Sequence, residues 1–183
     1  SGDRKAQFRL YKLYSKAMFN TCLRMMKNRE DAEDVLQNSF VDVFTKMHLY
    51  REEATIGSWI KRIVINNCIN QLKKKKILIS DWEQERIEQV PDQKGTEIQL
   101  PYTVQNIKQT LKELPTGYRI VFSLYALEGY DHKEIAEILG TSLSTSKSQY
   151  SRAKKRIREI LLRDNIDTNT QGQEDVREVH REK

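Results

Sequence analysis

The stretch DHKEIAEILGTSLSTSKSQYSRAKKRIR, from Asp131 to Arg158, reads as two short helices separated by a tight turn. Asp131 and Glu134 form a capping-box pair ahead of the apolar run Ile135, Ala136, Ile138 and Leu139, which gives the first helix a defined start. Gly140 supplies a residue able to adopt positive φ past the helix end, and Ser142 is placed to N-cap a second helix. That second helix exposes Lys147, Ser148, Gln149 and Arg152, and continues into the basic run Lys154, Lys155, Arg156 and Arg158. Ile157, Ile160 and Leu161 keep an apolar stripe for packing. The arrangement is that of a helix-turn-helix, which presents its second helix to DNA; spacing alone leaves an ordinary αα-hairpin open.

Composition supports an all-α fold. The 183 residues include only seven Gly and three Pro, too few for a strand-and-turn architecture, whereas apolar residues recur at helical spacing. No apolar run approaches the roughly 18 residues that span a bilayer, and the basic N-terminus lacks the apolar core of a secretory signal, so a cytoplasmic protein is expected. Ser1-Gly2 without Met predicts a processed or engineered start. Cys22 and Cys68 fall inside helical patterns without metal-ligand spacing and are expected to be buried free thiols.

Charge is arranged in blocks. Residues 1–76 carry 16 Lys and Arg against 8 Asp and Glu, and residues 102–163 carry 11 against 6. Between them, 77–101 carries 2 against 6, with Pro91, Gly95 and Pro101 as breakers. This predicts two small basic helical domains joined by a flexible acidic linker, the second domain containing the helix-turn-helix. Two basic modules suit one polyanionic partner engaged at two places. The polar tail, 164–183, is expected to be disordered.

The first domain reads as three helices. The first spans about Lys5 to Met26, with Leu10, Leu13, Tyr14, Ala17, Met18 and Met25 on its apolar face. Asn28 caps a second, whose first turns hold Glu30, Asp31, Glu33 and Asp34, where carboxylates complement the helix dipole. Its inward stripe is Val35, Leu36, Ser39, Phe40, Val43, Phe44 and Met47. After a loop from Tyr50 to Gly57, a third helix begins near Ser58 and places Arg62, Asn66, Asn70 and Lys73 on one face. Asparagine is a poor helix former, so Asn66, Asn67 and Asn70 within five positions suggest some compensating hydrogen bonding. Asn suits base edges and the Lys73–Lys76 run suits phosphates; a solvated surface ending in cations is the bland alternative.

No catalytic constellation is visible. His48, His132 and His180 are scattered, the acidic cluster has no partner histidine, and no Gly-rich loop follows a strand. No enzyme, metal, cofactor or small-molecule substrate is expected. A free-standing helix-turn-helix regulator with a sensor or dimerisation domain remains the alternative, although such a domain has no reason to carry an Asn-rich, Lys-ended helix.

Three segments, DAEDVLQNSF (Asp31–Phe40), WIKRIVINNCINQL (Trp59–Leu72) and ELPTGYRIVFSLYALEGYDHKEIAEILG (Glu113–Gly140), together resemble the extracytoplasmic-function group of bacterial sigma factors. The resemblance runs through almost the whole chain to about Leu162. It implies a non-catalytic subunit of two helical domains that binds core RNA polymerase and directs it to promoters. By resemblance, Asp31, Asp34, Gln37 and Phe40 dock on the clamp helices of the largest polymerase subunit, and the second domain meets the flap region. Tyr50, Arg51, Trp59, Arg62, Ile63, Asn66, Asn70 and Lys73 would read the single-stranded −10 element, with an extruded base beside Asn66. Trp59 is equally suited to bracing the loop. Ser142, Thr145, Lys147, Ser148, Gln149, Arg152 and Lys155 would read the −35 duplex. The resemblance also implies an anti-sigma factor, often membrane-anchored, that clamps the two domains.

The chain departs from the family pattern at three places. Tyr50-Arg51-Glu52-Glu53-Ala54 replaces a common Phe-Arg-Gly-acidic-Ser loop, so a glycine is lost and a carboxylate gained. Ser146 stands where an apolar residue usually packs and is expected to bond back to its own helix or stay partly wet. Gln149 replaces a frequent arginine and is expected to shift preference toward adenine.

Overall fold

Asp3 starts the first helix by accepting a hydrogen bond from the Lys5 amide at 2.8 Å. The computed structural model describes residues 3–75 and 104–179, with side chains of 164–179 and of three residues near 104 excepted. Helix α1 (Arg4–Met26) ends at Lys27, whose φ of 67° turns the chain and lets its amide reach the Leu23 carbonyl. Asn28 then caps α2 (Arg29–Lys46), accepting from the Glu30 amide at 2.7 Å, as its sequence position predicts. A single 3₁₀ turn, Met47–Leu49, leads to the loop before α3 (Ile56–Lys74).

Helix α3 starts two residues earlier than expected because Thr55, not a residue nearer Ser58, is the cap; its hydroxyl accepts from the Ser58 amide at 3.2 Å. Gly57 therefore lies inside the helix rather than closing the loop. A Cβ there would stand 3.0 Å from the Tyr14 ring, so the glycine permits α1 and α3 to approach closely.

The second half comprises α4 (Val104–Glu113), α5 (Thr116–Phe122), a π-type turn at Ser123–Leu127, α6 (His132–Leu139) and α7 (Leu143–Val179). Among the described residues there is no strand, and no helix is long and apolar enough to cross a membrane. The expected linker, 77–101, lies outside the described residues. The tail expected to be disordered is helical as far as Val179. It contains no Pro and one Gly, Gly172, and extending an existing helix costs far less than nucleating one.

The apolar faces of α1, α2 and α3 converge on Met18, Cys22, Met25, Val35, Phe40, Val43, Ile60, Ile65, Ile69 and Leu72, all buried. This cluster continues without interruption into Ile120, Val121, Leu124, Ile135 and Leu139 of the second half. Each such side chain contributes roughly 1.5–3 kcal/mol by leaving water. A smaller core of Leu111, Leu114 and Ile160 ties α4 to α7. Leu13 departs from the expected apolar face: at 71% exposure it lies outside the stripe formed by Tyr14, Met18, Cys22 and Met25. Cys22 and Cys68 are free and fully buried. Hydrogen bonding to Cys22, together with burial, pushes the Cys68 thiol far above its ordinary range, so it stays protonated.

Two buried charges cross the seam between the halves. The last carbonyls of α1 have no partner within their own helix. Arg119 of α5, 3% exposed, donates to Arg24 O at 2.9 Å and Met25 O at 3.2 Å, and also to Leu114 O at 3.1 Å. Glu128, its side chain 4% exposed, accepts from Thr21 at 3.1 Å, pairs with Lys61 at 3.0 Å and with Arg24. Burial raises the Glu128 pKa, but hydrogen bonds from Arg24 and Lys61 outweigh it and hold the carboxyl below its ordinary value.

Candidate nucleic-acid interface

On α3, inward positions are taken by Ile60, Val64, Ile65, Cys68, Ile69 and Leu72. The opposite side presents Arg62, Asn66, Asn70 and Lys73, all exposed, as the helical period requires. Asn67 is different: its amide donates to Ser39 Oγ at 3.1 Å and to Asp42 Oδ2 at 2.9 Å on α2. That is the compensation the asparagine-rich run requires, supplied at the one asparagine that faces inward. The Asn67 bond, with Lys46, holds the Asp42 carboxyl below its usual range.

The loop leading into α3 is braced rather than open. The Tyr50 hydroxyl donates to Ala54 O at 2.6 Å, and its ring lies 5.4 Å from the half-buried Trp59. Ile63 is also half-buried against the core, whereas Arg51 is exposed. Glu52 adopts φ 60°, so the backbone keeps the left-handed conformation that a glycine at this position would take freely.

On α2, Asp34 and Gln37 are exposed. Asp31 is engaged by Lys75, whose ammonium lies 2.6 and 2.7 Å from its two oxygens. Phe40 corrects the surface expectation. It is 3% exposed and packs edge-on against Tyr11, 4.8 Å between centroids, because it shares the inward stripe of α2 with Leu36 and Val43. A shallow groove between α1 and α2, lined by Tyr11, Phe19, Arg29, Glu33 and Gln37, flanks the exposed acidic side chains.

In the second half, the helix-turn-helix forms as its sequence predicts. Asp131 accepts from Lys133 and Glu134 amides at 2.7 and 2.9 Å, and Glu134 returns the bond to the Asp131 amide at 2.8 Å. Gly140 takes φ 72°, and Ser142 caps α7 by accepting from the Thr145 amide at 3.0 Å. Ser142, Lys147, Ser148 and Lys155 are exposed, with Thr145 and Arg152 partly so. Gln149 is 4% exposed and does not reach the surface, so a direct adenine contact is corrected: one helical turn after the buried Ser146, it turns inward with it.

Ser146 itself is fully buried, and its hydroxyl lies 2.9 Å from His132 Nδ1. It therefore neither bonds back to its own helix nor stays wet; leaving it unpaired would cost about 1–3 kcal/mol. His132, unassigned from sequence, also stacks on Tyr125 at 4.4 Å and meets Tyr150 edge-on at 5.6 Å. Burial, then the Lys147 charge, lower its pKa. The seam residues were likewise missed, although an arginine inside the apolar run Tyr118–Phe122 is a visible sign of a buried charge needing partners. Among the described residues, no group of three or more His, Cys, Asp and Glu stands together to hold a metal.

The halves meet where their candidate faces end: a Cβ on Gly140 would lie 3.7 Å from Lys73 Nζ. Residues 10–77 match Sigma-70 region 2, and residues 105–157 match Sigma-70, region 4. The chain is 33% identical over 142 residues to the RNA polymerase sigma factor SigV of Bacillus subtilis, covering 77% of this chain and 82% of that protein. It is 27% identical over 161 residues to the ECF RNA polymerase sigma factor SigM of Mycobacterium tuberculosis, with 88% and 80% covered. Among solved structures, it is similar to the sigma factor RpoE in complex with the anti-sigma factor NepR from Bartonella quintana, with TM-score 0.56, 20% identity, and 86% and 97% of the two chains covered. It is also similar to CnrH in complex with the cytosolic domain of CnrY, at TM-score 0.52 and 22% identity, with 89% and 92% covered.

Proposed function

Because this chain belongs to the extracytoplasmic-function RNA polymerase sigma factors, we propose that it binds core RNA polymerase and directs promoter-specific initiation through −10 and −35 elements. The observation that carries this reading is the outward stripe Arg62, Asn66, Asn70 and Lys73 on α3, in the same chain as an exposed Lys147 and Ser148 at the start of α7. The first supplies donors and acceptors for unstacked bases, beside lysines for phosphates. The second sets a helix N-terminus for the major groove of a duplex. Asp34 and Gln37 offer the exposed polar surface for the polymerase clamp helices, and Phe40 supports them from beneath. The protein acts in the cytoplasm as a regulatory subunit without catalysis of its own.

The −10 and −35 elements are separate sites along the promoter, and each base pair between them adds ~3.4 Å of duplex. Helix α3 packs against α6 across the seam, and Lys73 reaches the Gly140 turn that precedes α7. The packed arrangement is therefore a resting form, and engaging both elements on polymerase requires the halves to part. An anti-sigma factor would act by favouring this resting form and covering its polymerase-binding faces.

Titration of the labelled full-length protein with core RNA polymerase tests the reading, alongside an Asp34→Arg variant. Saturable binding that the variant weakens at least tenfold is expected. Absence of polymerase binding by folded protein, together with nanomolar binding to duplex DNA alone, would instead identify a free-standing regulator.

A further inference from the structure

We propose that His132 is a positioning residue for −35 recognition, setting the rotation of α7 through its bond to Ser146 and thereby deciding which side chains face the duplex. The proposal rests on the reading of α7 as the −35 helix. His132 occupies the first position of α6, whose start is held by the reciprocal Asp131–Glu134 cap. From that anchored turn the imidazole reaches both neighbouring elements. It stacks on Tyr125 of the π-type turn, 18° from parallel, meets the Tyr150 ring of α7, and brings Nδ1 to 2.9 Å from Ser146 Oγ. Tyr125 and Tyr150 also touch each other at 4.5 Å, and Tyr150 stacks on Phe122, which closes the cluster.

Ser146 is the polar point at which this cluster grips the recognition helix. It is fully buried, and among the described residues its hydroxyl is bonded to His132 alone. Successive residues of a helix are turned by about 100°. With Ser146 held inward, Lys147 and Ser148 point outward, and Gln149 and Tyr150 return toward the core, in agreement with their exposures. An apolar pair could hold the same helix by packing, but it would not define one rotation through a directional bond. A slip of one position would carry Lys147 into the cluster and Ser146 to the surface.

The test uses holoenzyme reconstituted with the full chain, selecting from promoter fragments randomised over the −10 and −35 regions and then sequenced. His132→Phe keeps the ring and removes the bond, Ser146→Ala removes the hydroxyl, and the double variant removes both partners at once. Wild-type holoenzyme is expected to select motifs at both elements. His132→Phe is expected to lose about fivefold in −35 discrimination, with the −10 motif retained, and the double variant, which also lacks the bond, to lose it to the same extent. A loss in the double variant no larger than in either single variant marks the two groups as one interaction, whereas independent damage to structure would add. Ser146→Ala should in addition shift the imidazole ¹⁵N resonances of His132 in the free protein, a reading independent of DNA. An unchanged −35 motif in His132→Phe, or full −35 discrimination in the double variant, would overturn the proposal. Wild-type selection at −10 with none at −35 would instead overturn the underlying reading of α7, and the proposal with it.

Discussion

The two helices proposed to meet DNA are held in different ways. Helix α3 lies on an extensive apolar core and is also gripped across the seam, where Lys61 pairs with Glu128. The start of α7 rests on a compact cluster of three aromatic rings and one histidine. Each helix nevertheless turns one polar side chain inward to a specific partner, Asn67 to Ser39 and Asp42 in the first, Ser146 to His132 in the second. The polar residues of these helices are thus of two kinds, those that face outward and those that bond inward, and the helical period separates them.

The largest effect belongs to the seam that supports α3. Glu128→Ala leaves Arg24 and Lys61 without their buried carboxylate and should lower stability by about 3 kcal/mol in urea unfolding at neutral pH. Because the folded Glu128 pKa is lowered, its contribution is present above its ordinary value of 4.5 and lost as pH falls below it. The variant should therefore lose part of the acid-side slope. Full wild-type stability in the variant would mean that the seam does not support α3.

Next comes the anchor within α3. Asn67→Ala removes the amide donor to Ser39 Oγ and Asp42 Oδ2, although Lys46 still pairs with Asp42, and should cost about 1–2 kcal/mol, whereas Asn70→Ala, on the exposed face, should stay within about 0.5 kcal/mol. Equal losses for the two would erase the distinction between anchor and reading face. In the loop before α3, Glu52→Gly should stabilise by up to about 1 kcal/mol, since it relieves a left-handed conformation in a side-chain-bearing residue. It should also strengthen −10 binding by removing a carboxylate; a destabilised variant would show that Glu52 has a native partner in solution.

The smallest effect lies at the α7 cluster. The lowered His132 pKa means that the folded state favours the neutral ring, so its contribution is complete above the ordinary value of 6.5 and is lost as pH falls through the folded value. Lys147 opposes the protonated ring and Asp131 favours it, and Lys154 lies over the neighbouring Tyr150 ring. Thermal melts between pH 7.5 and 5 should show a shallower decline for His132→Phe than for wild type. Parallel slopes would show that the cluster does not sense protonation.

The caps, the turn and the helical stripes were legible because they depend on neighbours within about four residues: Asp131 with Glu134, Asn28 with the Glu30 and Asp31 amides, Gly140 at positive φ. The exposed face of α3 was legible for the same reason. What the sequence left open depends on contacts between distant segments. Phe40 and Gln149 carry the chemistry of contact residues, yet both are buried: the apolar stripe of α2 already turns Phe40 inward, whereas the phase of Gln149 is fixed only once the core beneath it is known. Ser146 was conspicuous as a polar residue at an inward position, but its partner is fourteen residues away on the preceding helix. Arg119 and Glu128 meet groups roughly a hundred residues away, beyond any local pattern.

Run-off transcription by core polymerase supplemented with the full chain or with Asn66→Ala, each first matched for polymerase binding, puts the assignment of the α3 face to the test. Initiation at discrete start sites only when the chain is added, reduced about tenfold by Asn66→Ala with polymerase affinity unchanged, is expected. Transcription that does not depend on the chain, or an Asn66→Ala protein as active as wild type, would show that this face does not read promoter DNA.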